Sequence, residues 1–296
     1  MSDTESATDS TTLAQPADRQ ASGAPPDPAS RSDARCFDID CLLSYQVNGP
    51  TDFLFQIHAL NGMDQRVLSE SLVVTPELPM HVFEDPSVHH RFMRLHADSG
   101  LVELRYRARV ERCADPVDTA APEMSIADLP DDILHNLMPS RYCESDHLSR
   151  AAQRIFGAEP PGHPRVAAVV DWIHRNIEYK LGSSQATTTA RDVFVNRAGV
   201  CRDFAHLGVT FCRALNIPAR LVVGYARFDE PPPDFHAVFE VYLGSRWVMY
   251  DATRMSPLDE LVRIAVGRDA KDVAFATIFG PAQMMAMSPL LEPVSV

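Results

Sequence analysis

The sequence predicts an α+β fold, in which a small antiparallel β-rich domain precedes a domain of helices followed by an antiparallel sheet. Apolar and polar residues alternate with a period of two within residues 36–112, which is typical of half-buried strands. From residue 164 the apolar residues recur at helical spacing, and from residue 219 the strand pattern returns. The length of 296 residues suits two modest domains.

The N-terminal segment, residues 1–34, precedes the first of these patterns. It is rich in Ser, Thr, Ala, Asp and Pro and contains almost nothing that a core would bury, so we expect a disordered tail. It lacks the apolar region of a secretory signal, and the sequence has no run near the ~20 apolar residues that a transmembrane helix needs. We therefore expect a cytoplasmic protein.

The composition limits the partners of this protein. The chain carries 40 acidic and 27 basic side chains, which gives a net charge of -13. Such a surface repels phosphate groups, so we expect neither nucleic acid nor a membrane as a partner. The six cysteines form no CxxC pair, so we expect reduced thiols and no metal site. The oligomeric state is left open.

The β-rich domain is predicted over residues 35–113. Strict alternation around Leu101 places apolar residues on one face and an arginine stripe interleaved with glutamates on the other. Similar patterns at 53–57 and 66–75 complete a small antiparallel β-sandwich. The interleaved glutamates favour a solvated sheet face over a phosphate site. Turn-forming residues at 114–127 predict a linker to the second domain.

The second domain is predicted over residues 128–296. Its helical pattern begins at Pro164 and continues to Ile177. A second helix is predicted from Cys201 to Asn216, where Asn216 and Pro218 end it. Three strand-like runs then follow, at 219–227, 235–243 and 246–251.

Cys201 is the candidate nucleophile. It follows Gly199 and Val200 at the start of the second helix, where unpaired N–H groups and the helix dipole stabilise an anion. A thiol in this position is expected to have a lowered pKa and to be reactive. Cys212 lies on the apolar stripe of the same helix and is expected to be an inert core residue.

A predicted hairpin supplies two partners for this thiol. Gly244 and Ser245 form a two-residue turn, which pairs Leu243 with Arg246 and sets the register of both strands. The register extends to His236 opposite Thr253, and it places His236 and Asp251 on the same face within side-chain reach.

These three side chains suit acyl transfer by a thiol. A histidine can hold the proton of the thiol and later deliver it to a leaving amine, and a carboxylate on the other ring nitrogen orients that histidine. We therefore expect Cys201 as nucleophile, His236 as general base and Asp251 as the orienting acid. The backbone N–H of Cys201 is one expected donor to the oxyanion, and the second donor is left open.

Several segments resemble the transglutaminase-like superfamily. They are Thr189–Phe194, Gly199–His206, Ile217–Arg220, Val223–Tyr225, Phe235–Ala237 and Trp247–Thr253, with an approach segment at Pro139–Cys143 and Asp146 and a closing segment at Gly267–Ala270. The resemblance covers about Leu129 to Pro281. It implies a papain-like α+β core with Cys201, His236 and Asp251 as its triad, preceded by the β-rich domain that bacterial members carry.

The resemblance leaves the reaction open. The leading interpretation is a cysteine hydrolase that cleaves an amide or isopeptide bond of a peptide or protein substrate through an acyl-thioester on Cys201. A protein-glutamine γ-glutamyltransferase, in which an amine takes the acyl group, is the first alternative. The second is a peptide-binding scaffold without chemistry, which has no physical need for an intact triad. The mechanism requires no cofactor, and none is expected.

Overall fold

The computed structural model describes residues 34–85, 90–113, 118–228 and 234–294. The predicted N-terminal tail therefore lies outside the described residues, apart from Ala34. The strands in chain order are β1 (Arg35–Val47), β2 (Thr51–Phe55), β3 (Gln65–Thr75), β4 (Met80–Glu84), β5 (Arg91–Ala97), β6 (Gly100–Arg112), β7 (Glu178–Tyr179), β8 (Ala198–Gly199), β9 (Ala219–Tyr225), β10 (His236–Leu243), β11 (Arg246–Tyr250), β12 (Val262–Gly267), β13 (Ala276–Phe279) and β14 (Ala282–Pro293). The α-helices are α1 (Ser145–Phe156), α2 (His163–Asn176), α3 (Ala190–Asn196) and α4 (Cys201–Ala214), with short 3₁₀ helices at Ile126–Asp128, Asp131–Leu137 and Leu258–Glu260. Among the described residues, no helix is long and apolar enough to cross a bilayer.

The first half is a sandwich of two antiparallel sheets. One has the strand order β14-β1-β6-β3 and the other has the order β13-β2-β5-β4. Every second residue of β6 is buried, as the alternation predicts, because these side chains face the opposite sheet. The ring of Tyr45 on β1 packs 5.4 Å from Phe53 and 5.7 Å from Phe55 on β2, so aromatic side chains fill the space between the sheets. The α+β fold with an N-terminal β-sandwich is thus confirmed.

The arginine stripe lies on the solvated face of this sandwich. Arg109 makes two hydrogen bonds of 2.7 Å to Asp38, and Arg105 makes bonds of 2.7 and 2.6 Å to Asp40. These ion pairs hold the pKa values of both aspartates below their usual range, chiefly through the hydrogen bonds from Arg109 and Arg105. The stripe is therefore paired across strands β1 and β6.

The C-terminal segment corrects the predicted division of the chain. Residues 128–296 were assigned to the second domain, but β13 pairs with β2 and β14 pairs with β1 along its whole length. The chain thus returns to complete both sheets of the sandwich. Local patterning cannot show this return, because a strand gives the same alternation whichever neighbour it pairs with.

The predicted linker is bonded to the second half of the protein. In its described part, 118–127, the carbonyl of Ala121 accepts the N–H of His163 at 2.9 Å, and the carbonyl of Pro122 accepts the N–H of Gly244 at 3.0 Å. These bonds attach the segment to α2 and to the turn of the β10–β11 hairpin. The segment that joins the two halves is therefore held against the second half by hydrogen bonds.

The second half places α4 against the sheet β11-β10-β9-β12. Helix α4 approaches β10 closely at Gly208, where a Cβ atom would lie 2.5 Å from the ring of Phe239. Helices α1, α2 and α3 pack on the same central helix. Buried apolar residues form one continuous cluster that extends from this half into the sandwich. The first residue of α4 is thereby fixed beside the end of β10 that carries residue 236.

A buried network of ion pairs joins the sheet of the second half to the sandwich. Arg263 on β12 donates to Glu240 on β10 at 2.6 Å and also pairs with Asp64 of the sandwich. The Nε of Arg220 on β9 donates to the other oxygen of Glu240 at 2.8 Å, and Arg112 donates to Asp64 at 3.2 Å. Burial alone would raise the pKa values of both carboxyls, but these arginines hold them low, so the network stays charged.

Aromatic contacts connect the sandwich to the residue that precedes His236. Tyr106 of β6 packs 6.4 Å from Tyr225, whose hydroxyl donates to the carbonyl of Ile57 at 2.6 Å. Tyr225 in turn packs 5.4 Å from Phe235, and Phe275 stacks on Phe235 at 4.8 Å. These packed aromatic rings support the N-terminal end of β10.

Candidate active site

Cys201 is the first residue of α4, as predicted. Asp203 is fully buried in the first turn, and its Oδ2 accepts the N–H of Val200 at 2.9 Å. A side chain at Gly199 would clash with this carboxylate, because a Cβ there would lie 2.7 Å from the Cβ of Asp203. Arg202 donates to Ser184 Oγ at 2.6 Å and to Asp203 at 3.2 Å. The residues around Cys201 thus hold the helix start in place.

The β10–β11 hairpin has the predicted register. Leu243 pairs with Arg246, and the ladder continues to Phe239 opposite Tyr250. Beyond that pair the chain turns, so Thr253 bonds to Asp251 instead of lying opposite His236. The expectation for Thr253 was therefore wrong, because it extended the ladder past its last pair.

The structure brings His236 and Asp251 into contact. The Nε2 atom of His236 lies 2.9 Å from Oδ2 of Asp251, and both residues are buried. Asp251 is held by three further groups: its Oδ1 accepts the N–H and the hydroxyl of Thr253 at 2.8 and 2.7 Å, and its Oδ2 accepts the N–H of Met255 at 3.2 Å. Together these hydrogen bonds fix the orientation of the Asp251 carboxylate.

Cys201 lies close to the imidazole. Its Sγ is 3.9 Å from the carbonyl oxygen of Phe235, the residue before His236. The thiol interacts with the ring of His236 and raises its pKa. The Nδ1 atom of His236 is buried, and among the described residues it has no partner in full hydrogen-bond geometry. The imidazole is thus bonded to the Asp251 carboxylate and also interacts with the Cys201 thiol.

The electrostatics of the pair favour a charged imidazole. Burial lowers the pKa of His236, but the hydrogen bond to Asp251 and the interaction with the Cys201 thiol outweigh it and raise the pKa to about 10. For Asp251, burial raises the pKa, while the bonds from His236 and Thr253 bring it below its usual value. Both shifts favour a protonated imidazole bonded to an ionised carboxylate.

Tyr179 is a site residue that sequence reasoning missed. Strand β7 pairs in parallel with β8, which places Tyr179 beside Gly199, and the N–H of Lys180 donates to the carbonyl of Gly199 at 2.9 Å. The Tyr179 hydroxyl lies close enough to Cys201 to interact with its backbone N–H and its thiol. Burial, followed by the negative charge of a Cys201 thiolate, raises the pKa of this phenol, so it keeps its proton. A two-residue strand is too short for periodicity to reveal.

The approach and closing segments meet at the middle of α4, away from the thiol. His206 is fully buried, its Nε2 accepts the N–H of Ala270 at 3.1 Å, and its ring stacks on Tyr142 at 5.2 Å. Asp269 accepts the N–H of Tyr142 at 2.8 Å. Burial lowers the pKa of His206 to about 3, so this ring stays neutral. These segments brace the helix that carries Cys201.

Comparison with known proteins identifies the family. Residues 149–252 match the profile of the transglutaminase-like superfamily, and this range contains Cys201, His236 and Asp251. Residues 36–132 match the N-terminal domain of bacterial transglutaminases. A crystal structure of a Cytophaga hutchinsonii protein, provisionally called a cysteine protease, is 44% identical with a TM-score of 0.86, over 90% of this chain and 92% of that one. The chain belongs to the transglutaminase-like superfamily. Membership supports a cysteine-dependent enzyme as its general class.

Curated relatives match over shorter ranges. An uncharacterized protein of Mycobacterium leprae is 28% identical over 168 residues, which are 53% of this chain and 57% of that protein. An uncharacterized protein of Mycobacterium tuberculosis is 30% identical over 130 residues, which are 38% of this chain and 41% of that protein. The chain thus spans about half the length of the curated relatives it matches.

Proposed function

We propose that this protein hydrolyses an amide or isopeptide bond in a peptide or protein substrate through a thioester on Cys201. The observation that carries the proposal is that the three side chains interact in sequence: the thiol with the imidazole, and the imidazole with a buried carboxylate that orients it. This is the arrangement that nucleophilic catalysis by cysteine requires. The match to the superfamily profile over the same three residues supports it.

The proposed reaction has two stages. The Cys201 thiolate attacks the carbonyl carbon, and the imidazolium of His236 donates its Nδ1 proton to the departing amine, which leaves a thioester. A water molecule then attacks the thioester while His236 accepts one of its protons. The acid product departs, and that proton restores the thiolate–imidazolium pair. Asp251 keeps Nε2–H bonded throughout, so Nδ1 always faces the sulfur.

Tyr179 is our candidate for the second oxyanion donor. Its hydroxyl already lies against the backbone N–H of Cys201, the expected first donor. A substrate oxygen that takes this place can accept from the N–H and from the phenol together. Tyr179→Phe is then expected to reduce kcat by about 10–100-fold and to leave KM nearly unchanged, because the bond strengthens in the transition state. A variant with unchanged kcat would exclude Tyr179 from this role.

Transfer to an amine is the alternative outcome. The match of residues 36–132 to the N-terminal domain of bacterial transglutaminases favours it. Hydrolysis and transfer share the thioester and differ only in the nucleophile that resolves it, water or an amine.

The deciding experiment incubates wild type and Cys201→Ala with a glutamine- and lysine-rich peptide library, with and without a labelled primary amine. In hydrolysis, water replaces the amine or ammonia that leaves the amide, and in transfer the labelled amine replaces it. Cys212→Ala is the matched control and is expected to behave as wild type. Equal products from wild type and Cys201→Ala, together with a Cys201 that iodoacetamide labels no faster than a free thiol, would instead establish the non-catalytic scaffold.

A further inference from the structure

Phe228 packs on the imidazole of His236, and the proposed mechanism gives it no part. Its ring centroid lies 5.5 Å from that of His236, and the two ring planes are inclined by 57°. Phe228 is 8% exposed, whereas His236 is only 1% exposed. The side chain of the preceding residue, Arg227, is half exposed, so the chain reaches the surface beside Phe228. The phenyl ring therefore covers the imidazole on a side that faces solvent.

The ring of Phe228 belongs to a small apolar cluster that is separate from the main core. The other buried members of this cluster are Val222, Ala226, Val238, Met249 and Leu261. Val238 faces away from helix α4, because neighbouring residues of a strand point to opposite faces and Phe239 lies against Gly208 of the helix. Cys201 packs instead against the main core. The imidazole thus interacts with the thiol and with the phenyl ring, which belong to different apolar clusters.

The same cluster reaches the carboxylate that orients His236. Met255 packs against the cluster, and its N–H donates to Oδ2 of Asp251 at 3.2 Å. This oxygen is the one that bonds Nε2 of His236 at 2.9 Å. Both members of the imidazole–carboxylate pair are therefore in contact with residues of this cluster.

Ion pairs hold the backbone beside Phe228. Arg227 pairs with Glu260 at 3.4 Å, and Glu260 also pairs with Arg35 of β1 at 2.7 Å. The segment that carries the phenyl ring is thus attached to the β-sandwich as well as to the sheet of the second half.

The imidazole needs such a neighbour because one hydrogen bond does not fix a ring. The last torsion of a histidine side chain has only broad preferences, so packing and hydrogen bonds set the plane of the ring. Asp251 bonds one ring atom of His236, Nε2. An apolar group against the ring restricts its rotation about that bond, and the exclusion of water strengthens the bond itself. An aromatic ring within ~6 Å also attracts a cation.

We propose that Phe228 is a positioning residue, whose ring holds the imidazole of His236 in one orientation and keeps water away from its bond to Asp251. The inference deepens the proposed function and rests on it for the effect on turnover. The effect on the hydrogen bond can be tested without any substrate.

The test follows the Nε2 proton of His236 by NMR in protein labelled with ¹⁵N-histidine, and the signal is assigned by its absence from His236→Gln. Phe228→Ala is expected to accelerate the exchange of this proton with water at least about tenfold, because the bond becomes open to solvent. The same variant should lower kcat about 10–100-fold at similar KM, because the ring loses its orientation towards the reacting groups. Phe228→Leu restores most of the apolar volume, so its exchange rate should stay within about threefold of wild type.

Val222→Ala is the matched control. Val222 is fully buried in the same cluster, and it lies opposite Val238, two residues along β10 from His236. This variant should lower the urea midpoint of unfolding and leave the exchange rate and kcat within about twofold of wild type. Wild-type exchange in a folded Phe228→Ala overturns the proposal, and so does equally fast exchange in Val222→Ala or an unchanged kcat in Phe228→Ala.

A second pair of variants covers the case in which Phe228→Ala does not fold. Phe228→Val leaves a smaller cavity, and its Nε2 proton should exchange faster than that of Phe228→Leu, because less apolar volume covers the ring of His236. Equal exchange rates in these two variants overturn the proposal. If Phe228→Ala exchanges fast but the wild-type Cys201 forms no thioester, the proposed function fails and the role of Phe228 in supporting the bond to Asp251 stands.

Discussion

The region at the start of helix α4 and the later, buried turns of that helix contain the same residue types in opposite states. Cys201 begins the helix, is half-buried and contacts His236. Cys212 lies eleven positions later, is fully buried, and burial raises its pKa well above the usual value. Both are cysteines of one helix, so residue type alone does not identify the candidate nucleophile. Partial exposure and the interaction with His236 distinguish Cys201.

The two buried histidines make the same contrast. His236 and His206 each have at most 1% of their surface exposed. Burial lowers both pKa values, but His236 is bonded to Asp251 and its pKa rises to about 10. No carboxylate of the described residues bonds to His206, and its pKa falls to about 3. A carboxylate within 3 Å thus decides whether a buried imidazole carries charge.

The strongest test of this contrast removes each thiol in turn. Cys201→Ala is expected to reduce kcat/KM about 10⁵-fold, because the nucleophile has no substitute. Cys212→Ala should cost about 1–2 kcal/mol of unfolding free energy through lost packing and leave kcat within a few-fold. Turnover of a proteome-derived peptide library and urea unfolding measure the two effects. Comparable losses of kcat in both variants would break the comparison.

The next test removes the carboxylate from each histidine environment. Asp251→Asn is expected to lower kcat by about 10³-fold, because the imidazole loses its orientation and the charge that raises its pKa. The pKa of His236, followed by NMR, should fall from about 10. Asp269→Asn is the matched control, since Asp269 is equally buried beside His206 and should affect stability alone. An unchanged His236 pKa in Asp251→Asn would contradict this account.

The pH dependence of stability should have opposite signs for the two rings. Because the folded pKa of His206 is below the unfolded value of 6.5, its contribution is complete above pH 6.5 and is lost as pH falls toward 3. The stability difference between wild type and His206→Gln should shrink by up to about 1.4 kcal/mol per pH unit over that range. Urea titrations at several pH values measure it.

For His236 the folded pKa is raised, so its contribution is complete below pH 6.5 and is lost as pH rises through about 10. The stability of His236→Gln should therefore converge with that of wild type on the alkaline side. Convergence of both variants on the same side would contradict the opposite signs.

The smallest expected effect concerns the support of Asp251. Thr253→Val removes the 2.7 Å hydroxyl bond to Oδ1 and keeps the 2.8 Å backbone bond, so kcat/KM should fall about fivefold, the worth of one hydrogen bond. Thr210→Val is the control, because its hydroxyl donates to the carbonyl of His206 at 2.7 Å in the other region. Equal effects on kcat/KM from both would show that Asp251 needs no support from Thr253.

Sequence patterns anticipated several elements that have a clear apolar period or a defined turn. Helices α2 and α4 and strands β9 to β11 lie close to their predicted bounds, and the turn at Gly244 fixed the register that aligns His236 with Asp251. Helices α1 and α3 and strand β12 were missed. Helix α3 has seven residues and β12 has six, so neither contains enough periods to stand out from its surroundings.

The amino-acid sequence by itself determined the local chemistry: a cysteine at a helix start, and a histidine and an aspartate on one face of a hairpin. Spacing and turn type act between near neighbours, and these can be read along the chain. Only the tertiary structure decided that β14 returns to β1, that the sandwich reaches Phe235 through Tyr225, and that Tyr179 meets the N–H of Cys201. These contacts join residues between 10 and more than 200 positions apart, and which distant surfaces meet depends on the packing of the whole chain.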